Sequence, residues 1–98
     1  MTSVNVQTIT PLVATELLST AAYEHERRLR AEWVKYLAEE MRRGSFKQDT
    51  VIETVKRGDN GKMVLVDGYH RLNAVIQSGL PCRFVMLASE VKDANEIA

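Results

Sequence analysis

Two apolar runs rich in β-branched residues flank the dipeptide Asn60-Gly61, and this arrangement constrains the fold more than any other feature of the chain. The runs are Val51–Val55 and Met63–Val66. An Asn-Gly pair favours a tight β-turn, because both central residues of that turn must adopt positive φ. We therefore expect two strands that pair antiparallel and are joined by this turn.

A turn and a helix are expected directly after the second strand. Gly68 follows Asp67, and the segment His70–Ser78 has apolar residues at helical spacing. These apolar residues are Leu72, Val75 and Ile76. Gly79 should end the helix, since glycine readily adopts the left-handed conformation of a C-cap. A strand, a glycine turn and a helix N-terminus are thus predicted in immediate succession.

Before the hairpin, the sequence predicts a strand and two helices. Val4–Thr10 has the β-branched bias of a half-buried strand, which Pro11 should end, and Thr15 is a candidate start for a short helix. A long amphipathic helix is expected from Leu29 to a stop at Gly44. Its predicted apolar stripe consists of Leu29, Trp33, Tyr36, Leu37 and Met41.

The end of the chain predicts one more strand and one more helix. Cys82–Leu87 follows Pro81 and reads as a strand, and Ser89 is a candidate N-cap for a helix through Val91, Ala94 and Ile97. A chain of 98 residues has room for one domain only. We therefore predict a single α+β domain over residues 1–98, with a small mixed sheet, a hairpin and flanking helices.

The charge composition excludes one class of nucleic-acid binding and leaves another open. Lys plus Arg and Asp plus Glu each number 13, so the net charge is zero and a generally basic coat for nucleic acid is excluded. Between Arg27 and Arg71, however, eleven basic residues face seven acidic ones, so a local anion-binding surface remains open beside an ordinary solvated helix face.

The location and covalent chemistry of the chain are also constrained. Its apolar runs are far shorter than the roughly 20 residues that cross a bilayer, and its first residues lack the pattern of a secretory signal. We therefore expect a cytoplasmic protein with no membrane partner. A single cysteine, Cys82, cannot form an intramolecular disulfide or a thiolate metal cluster and is expected to be a buried strand residue.

The predicted turn before the second-last helix has the chemistry of an anion site. Amides at a helix N-terminus lack intrahelical acceptors, and Gly68 would let a ligand approach the backbone. His70 and Arg71 would add donors suited to phosphate oxygens. The alternative is structural: Arg71 would pair with Asp67 or a helix carboxylate, and His70 would only cap the turn.

The segment Asp67–Ala74 resembles the signature of the ParB/sulfiredoxin superfamily, especially phage and plasmid proteins with the motif Asp-Gly-Gln-His-Arg-Leu-x-Ala. The resemblance extends over residues 27–87, since Val34–Gly44 resembles the family helix Val-x-x-Leu-Ala-x-x-Met-x-x-Gly. It implies a ParB-like fold with a phosphate site, a ligand such as CTP or ATP, and a role for Mg²⁺ that is left open. The binding residues that it implies are Gly68, Tyr69, His70, Arg71, Arg27, Arg28 and Gln48, with Asp67 as metal or polar support.

Departures from the family pattern bear on catalysis. Tyr69 stands where sulfiredoxins have their catalytic cysteine and where chromosome-partition ParB proteins have a metal-contacting glutamate. A phenol with a pKa near 10 cannot replace a reactive thiolate, and Asp67 is the only carboxylate beside the turn. The resemblance therefore implies neither peroxiredoxin repair nor hydrolysis.

Two functions from different classes remain. The first is binding of a nucleotide or nucleic-acid phosphate at Gly68, His70 and Arg71, with Arg27 or Arg28 closing over the anion. The second is a non-catalytic interaction module that binds and modulates or inhibits a host protein. The identity of the ligand or partner and the oligomeric state stay open.

Trp33 and Tyr36 are expected in the core, and the isolated His25 is not expected to bind a metal.

Overall fold

The computed structural model describes residues 2–20, 22–23, 29–57 and 63–91, which form three helices and a five-stranded sheet. The strands are β1 (Thr2–Ile9), β2 (Ala22–Tyr23), β3 (Thr50–Arg57), β4 (Met63–Asp67) and β5 (Cys82–Val91). The helices are α1 (Pro11–Thr20), α2 (Ala31–Arg43) and α3 (Tyr69–Ser78). None of the helices among these residues has the length and apolarity needed to cross a membrane.

The sheet is mixed, with the strand order β1-β5-β3-β4-β2. β1 pairs antiparallel with β5, and β3 pairs antiparallel with β4, whereas β5 with β3 and β4 with β2 are parallel. This arrangement confirms the predicted α+β class with a mixed sheet. It also confirms that the two runs flanking Asn60-Gly61 form antiparallel strands, although the dipeptide itself lies outside the described residues.

One face of the sheet and the three helices enclose the core. The largest fully buried side chains come mainly from strands and from α3 and are Ile9, Ile52, Leu65, Leu72, Val75 and Phe84. α3 contacts both other helices and follows β4 through a single residue, Gly68. The start of α3 therefore lies at the C-terminal end of β4, a strand flanked on both sides within the sheet.

α1 begins earlier than the sequence predicts. The expected start was Thr15, whereas the helix begins at Pro11. The hydroxyl of Thr10 accepts a hydrogen bond from the backbone N–H of Val13 (3.2 Å), and the Thr10 carbonyl accepts from Ala14 (2.9 Å). Thr10 is thus the N-cap and Pro11 the first helical residue, a position where the missing N–H of proline costs nothing.

The buried face of α2 differs from the predicted stripe. The buried residues are Val34, Leu37, Ala38 and Met41, which follow the i, i+3, i+4, i+7 pattern of one helix face. Trp33 and Tyr36 were expected in the core, but they are 49% and 53% exposed, and Leu29 is also exposed. The prediction followed the largest apolar side chains, whereas the packed face uses the smaller Val34 and Ala38.

Two further predictions about burial are wrong. Val4 and Val6 were expected on the buried side of the strand with Ile9, but they are exposed, because alternation along β1 places them on the sheet face opposite to that of the buried Ile9. Ile76 was expected on the buried face of α3 and is also exposed, while Ala74 is fully buried. As on α2, the small residue faces the neighbouring elements.

The predicted last helix does not begin at Ser89. This residue belongs to β5, which continues to Val91 and pairs there with the end of β3. The parallel register joins Val55 to Ser89 and Arg57 to Val91. Backbone pairing with β3 therefore overrides the local N-cap preference of serine, and residues 92–98 of the predicted helix lie outside the described residues.

Candidate functional site

The turn between β4 and α3 requires glycine for two independent reasons. Gly68 has φ +113°, a left-handed conformation that side chains rarely adopt. A Cβ at this position would also overlap Cδ1 of Ile52, a fully buried residue of β3. Because of this close approach, α3 can begin immediately against the centre of the sheet.

A polar cleft of about 220 Å³ opens at this turn. The described residues that line it are Trp33, Leu37, Asp67, Gly68, Tyr69, His70 and Arg71. The predicted turn residues are thus brought together, and two residues of α2 join them. Gly68 provides no side-chain cap, so the positive end of the α3 dipole faces this region.

Arg71 is held on both sides by groups of the fold. Its Nη1 donates a hydrogen bond to the carbonyl oxygen of Val51 in β3, and its Nη2 lies 3.8 Å from Oδ2 of Asp67. The pair with Asp67 is an ion pair rather than a hydrogen bond at this distance. A guanidinium carries five N–H donors, so these two contacts use only part of its capacity.

His70 links the N-termini of two helices. Its Nε2 accepts a hydrogen bond from the backbone N–H of Arg30, the N-cap of α2, at 3.1 Å. An imidazole nitrogen that accepts a hydrogen bond carries no proton, which assigns the proton of the neutral ring to Nδ1. His70 therefore satisfies the first turn of α2 in this arrangement, a role that sequence reasoning did not predict.

Tyr69 contributes its ring to packing. It is half-buried against the core and contacts the His70 ring edge-to-face, with centroids 5.8 Å apart. Its backbone carbonyl accepts a hydrogen bond from the side-chain amide of Asn73 (2.8 Å). Tyr69 thus has a packing role in this turn.

Gln48 precedes β3 and contacts the start of β5. Its Oε1 accepts a hydrogen bond from the backbone N–H of Arg83 (3.0 Å) and lies 3.9 Å from the sulfur of Cys82. Gln48 is thus engaged with β5 and is not among the described residues that line the cleft. The predicted site residues Arg27 and Arg28 lie outside the described residues, as does His25.

Trp33, Leu37 and Arg30 belong to this region and were missed as site residues. Trp33 and Leu37 line the cleft, and Arg30 holds His70 through its backbone. The helical stripe gave no signal for a site, because it assigned Trp33 and Leu37 to one buried face. Among the described residues, no group of three or more His, Cys, Asp or Glu could hold a metal ion.

Comparison with models of known protein families gave no match, and comparison with curated proteins gave none either.

Cys82 is a buried strand residue, as predicted. Burial raises the pKa of its thiol above the ordinary value, and this effect outweighs the hydrogen bond to Gln48, which lowers the pKa. A raised pKa disfavours the nucleophilic thiolate at neutral pH. The Cys82 thiol is thus a poor nucleophile in the folded protein.

We predict that Gly68→Ala destabilises the fold by about 2–5 kcal/mol, the sum of left-handed strain and overpacking against Ile52. The variant Ile52→Val removes Cδ1, the atom that the new Cβ would overlap. In that background the added cost of Gly68→Ala should fall by about 1 kcal/mol or more, because only the backbone strain and the looser contacts remain. Urea unfolding of the four proteins measures this coupling.

Gly79→Ala is the matched control for the part of the destabilisation that comes from the left-handed backbone conformation. Gly79 has φ +71°, and a Cβ there would meet nothing within 4 Å. Its substitution should cost about 1 kcal/mol and should be indifferent to Ile52→Val. Equal costs for Gly68→Ala in both backgrounds would show that the approach to Ile52 does not matter.

We predict that Cys82 takes no part in function and that the protein does not reduce a sulfinic-acid substrate. Cys82→Ser should leave ligand binding unchanged, and the native thiol should react with iodoacetamide far more slowly than the unfolded one. Because folding raises the pKa of the Cys82 thiol, its contribution to the free energy of unfolding is complete at neutral pH. This contribution is lost as the pH rises through the pKa of the folded thiol. Sulfinic-acid reduction that disappears in Cys82→Ser would contradict this.

Proposed function

We propose that the cleft at the start of α3 binds a phosphate group of a nucleotide or nucleic acid. The observation that carries this proposal is that a guanidinium and a helix N-terminus line the same small polar cleft, at Arg71 and Gly68. Phosphate oxygens match both, because helix N-termini stabilise negative charge and guanidinium groups bind phosphate bidentately. A volume of about 220 Å³ accommodates a phosphate group and its linkage.

Arg71 is the main source of binding energy in this proposal. A charge-assisted hydrogen bond contributes about 1.5–3 kcal/mol, whereas a helix dipole contributes about 0.3–1 kcal/mol. The guanidinium is partly buried, with 28% of its side chain exposed, so water screens it less than a surface arginine. Its contact with Val51 also fixes its position before a ligand arrives, which reduces the entropy lost on binding.

The Arg30–His70 hydrogen bond supports the same reading. It joins the N-cap of α2 to the first turn of α3, so the positive ends of two helix dipoles lie close together. Both favour a negative charge between them. The fold thereby concentrates partial positive charge at one place even though the chain has no net charge.

Within this proposal the chain is a ParB/sulfiredoxin-like domain of phage or plasmid type, with a nucleoside triphosphate such as CTP or ATP as the candidate ligand. The phosphate would be held by Gly68, His70 and Arg71. Tyr69 leaves no thiolate or carboxylate at the family's reactive position, and Asp67 is already paired with Arg71. We therefore propose binding rather than catalysis. If Mg²⁺ takes part, it would enter the site already coordinated by the phosphates of the ligand.

We predict that Arg71→Ala weakens binding of triphosphates at least about tenfold, since loss of one charge-assisted contact exceeds 1.4 kcal/mol. Arg71→Lys should recover only part of the affinity, because an ammonium group cannot form the bidentate contact. Calorimetric titration with CTP, ATP and inorganic tripolyphosphate measures the effect. Absence of wild-type binding at millimolar concentrations would overturn the proposal.

Arg42→Ala is the matched control. Arg42 also donates to a backbone carbonyl, that of Gln77 at 2.8 Å, but it does not line the cleft. Both substitutions therefore remove one positive charge and one bond to the backbone. If Arg42→Ala lowers affinity as much as Arg71→Ala, then charge or stability explains the loss and the cleft does not.

Asp67→Asn tests the same site in the opposite direction. It removes the carboxylate that pairs with Arg71 and would repel a phosphate in the cleft. We predict a gain in affinity of roughly threefold, since one charge about 6 Å away contributes about 0.7 kcal/mol in a water-like medium. The gain should shrink as salt is added, and an unchanged or lower affinity at low salt would argue against an anion at this position.

A second candidate function is docking of another protein on the open face of the sheet. Val4 and Val6 of β1 are exposed, and they pair with Leu87 and Val85 on the face opposite the core. β1 contains no charged residue, so this edge lacks the charges that usually discourage contact with other chains. If wild-type protein binds none of the phosphate probes, a stable complex with a host protein that Val6→Lys abolishes would support this candidate.

A further inference from the structure

Two aromatic side chains stand on the surface of α2 beside the cleft. Trp33 and Tyr36 are 49% and 53% exposed, and their rings stack with centroids 5.3 Å apart and planes inclined by only 13°. Burial would gain about 25 cal/mol for each Å² of apolar surface, yet neither ring reaches the core. The two rings therefore lie one against the other as a preformed aromatic stack that is half open to solvent.

A broad apolar groove of about 610 Å³ runs along this pair. The described residues that line it are Arg30, Ala31, Glu32, Trp33 and Tyr36. This volume lies within the range of small-molecule sites, and its apolar character contrasts with the polar cleft at Gly68. The two cavities therefore differ in the chemistry that they can accept.

Trp33 belongs to both cavities, and the Arg30–His70 hydrogen bond joins their walls. A ligand that bridges them needs an anionic end for the cleft and a flat apolar ring for the groove. A nucleotide has both parts, since its phosphates are anionic and its base has a π-face that stacks on aromatic side chains. Both parts of a nucleotide therefore have a chemical counterpart in the walls of the two cavities.

We infer that the Trp33–Tyr36 pair is a stacking platform for the base of a nucleotide whose phosphate occupies the cleft at Gly68 and Arg71. This inference rests on the proposed phosphate site and adds to it the residues that bind the base. The base stacks on the aromatic pair, and Arg30 at the rim adds a cation beside the rings. The stacking is sequence-tolerant, because every base has a π-face.

Trp33 is the only tryptophan of the chain, so its fluorescence reports on this surface directly. CTP and ATP should quench Trp33 emission and protect it from acrylamide, because a stacked base covers the indole. Tripolyphosphate should bind the cleft and compete with the nucleotides, but it has no ring to cover the indole, so it should quench Trp33 and protect it from acrylamide much less than they do. Equal quenching by tripolyphosphate and nucleotides would contradict base stacking.

Tyr36→Ala separates the platform from the phosphate site, because Tyr36 lines the groove but not the cleft. We expect it to weaken nucleotide binding about five- to 150-fold and to leave tripolyphosphate binding unchanged in calorimetry. Trp33→Phe should retain more nucleotide affinity than Trp33→Ala. Leu12→Ala, at an exposed apolar position of α1 outside both cavities, is the control and should change neither affinity.

The outcomes distinguish the two levels of the proposal. If tripolyphosphate binds and Tyr36→Ala does not weaken nucleotide binding, the platform is wrong and the phosphate site stands. If neither tripolyphosphate nor nucleotides bind wild-type protein, the phosphate site and the platform are both wrong. The exposed aromatic pair would then be a candidate contact surface for a protein partner.

A single-stranded oligonucleotide and a free nucleotide both offer the phosphate and the base that this site would bind. A 12-nucleotide deoxythymidine strand and thymidine triphosphate distinguish the two sources. Tighter binding of the strand per molecule, with quenching and a steep salt dependence, would assign the site to single-stranded nucleic acid. Equal or weaker binding of the strand would assign it to the free nucleotide, and loss of either interaction in Tyr36→Ala is required for the platform to stand.

Discussion

The contact of Gly68 with Ile52 determines where everything else at this end of the molecule lies. Because no Cβ separates the turn from β3, α3 starts directly against the centre of the sheet rather than after a loop. That position brings Arg71 within reach of the Val51 carbonyl and His70 within reach of the N-cap of α2. A glycine that would suit close approach of a ligand is thus already required by packing, so its presence alone does not indicate a ligand.

Arg71 has the same double character. The sequence left two interpretations open, a donor to phosphate or a partner of Asp67, and the structure contains the second of these contacts together with a bond to Val51. The two interpretations are compatible, because the Asp67 contact is long and only one guanidinium nitrogen is bound to the backbone. A guanidinium fixed by the fold is a better anion donor than a mobile one, since less conformational entropy is lost when the ligand binds.

Sequence patterns predicted local features whose cause is local. Gly44 and Gly79 end their helices in the left-handed conformation, and the β-branched runs flanking Asn60-Gly61 pair as expected. Features that depend on distant neighbours were missed.

Trp33 and Ser89 illustrate these misses. The stripe on α2 assigned Trp33 to the core, but α3 and the sheet pack against a face centred on smaller residues. Ser89 has the local character of a helix N-cap, yet it lies opposite Val55 of β3, and strand pairing prevails. The hydrogen bond between Arg30 and His70 joins residues 40 positions apart, and no spacing rule could have indicated it.

The charge at the cleft explains why the aromatic surface matters for any ligand held there. Among the described lining residues, the formal charges of Asp67 and Arg71 offset one another, so the field that favours an anion comes from the helix dipoles and contributes only about 0.3–1 kcal/mol for each helix. The affinity of the anion would depend on directed donors, whose strength falls steeply when geometry is imperfect. A ligand that offers only phosphate would therefore bind weakly, whereas one that also covers Trp33 and Tyr36 gains apolar burial that salt does not screen. In the proposed complex, discrimination among anions thus depends on α2, outside the segment Asp67–Ala74.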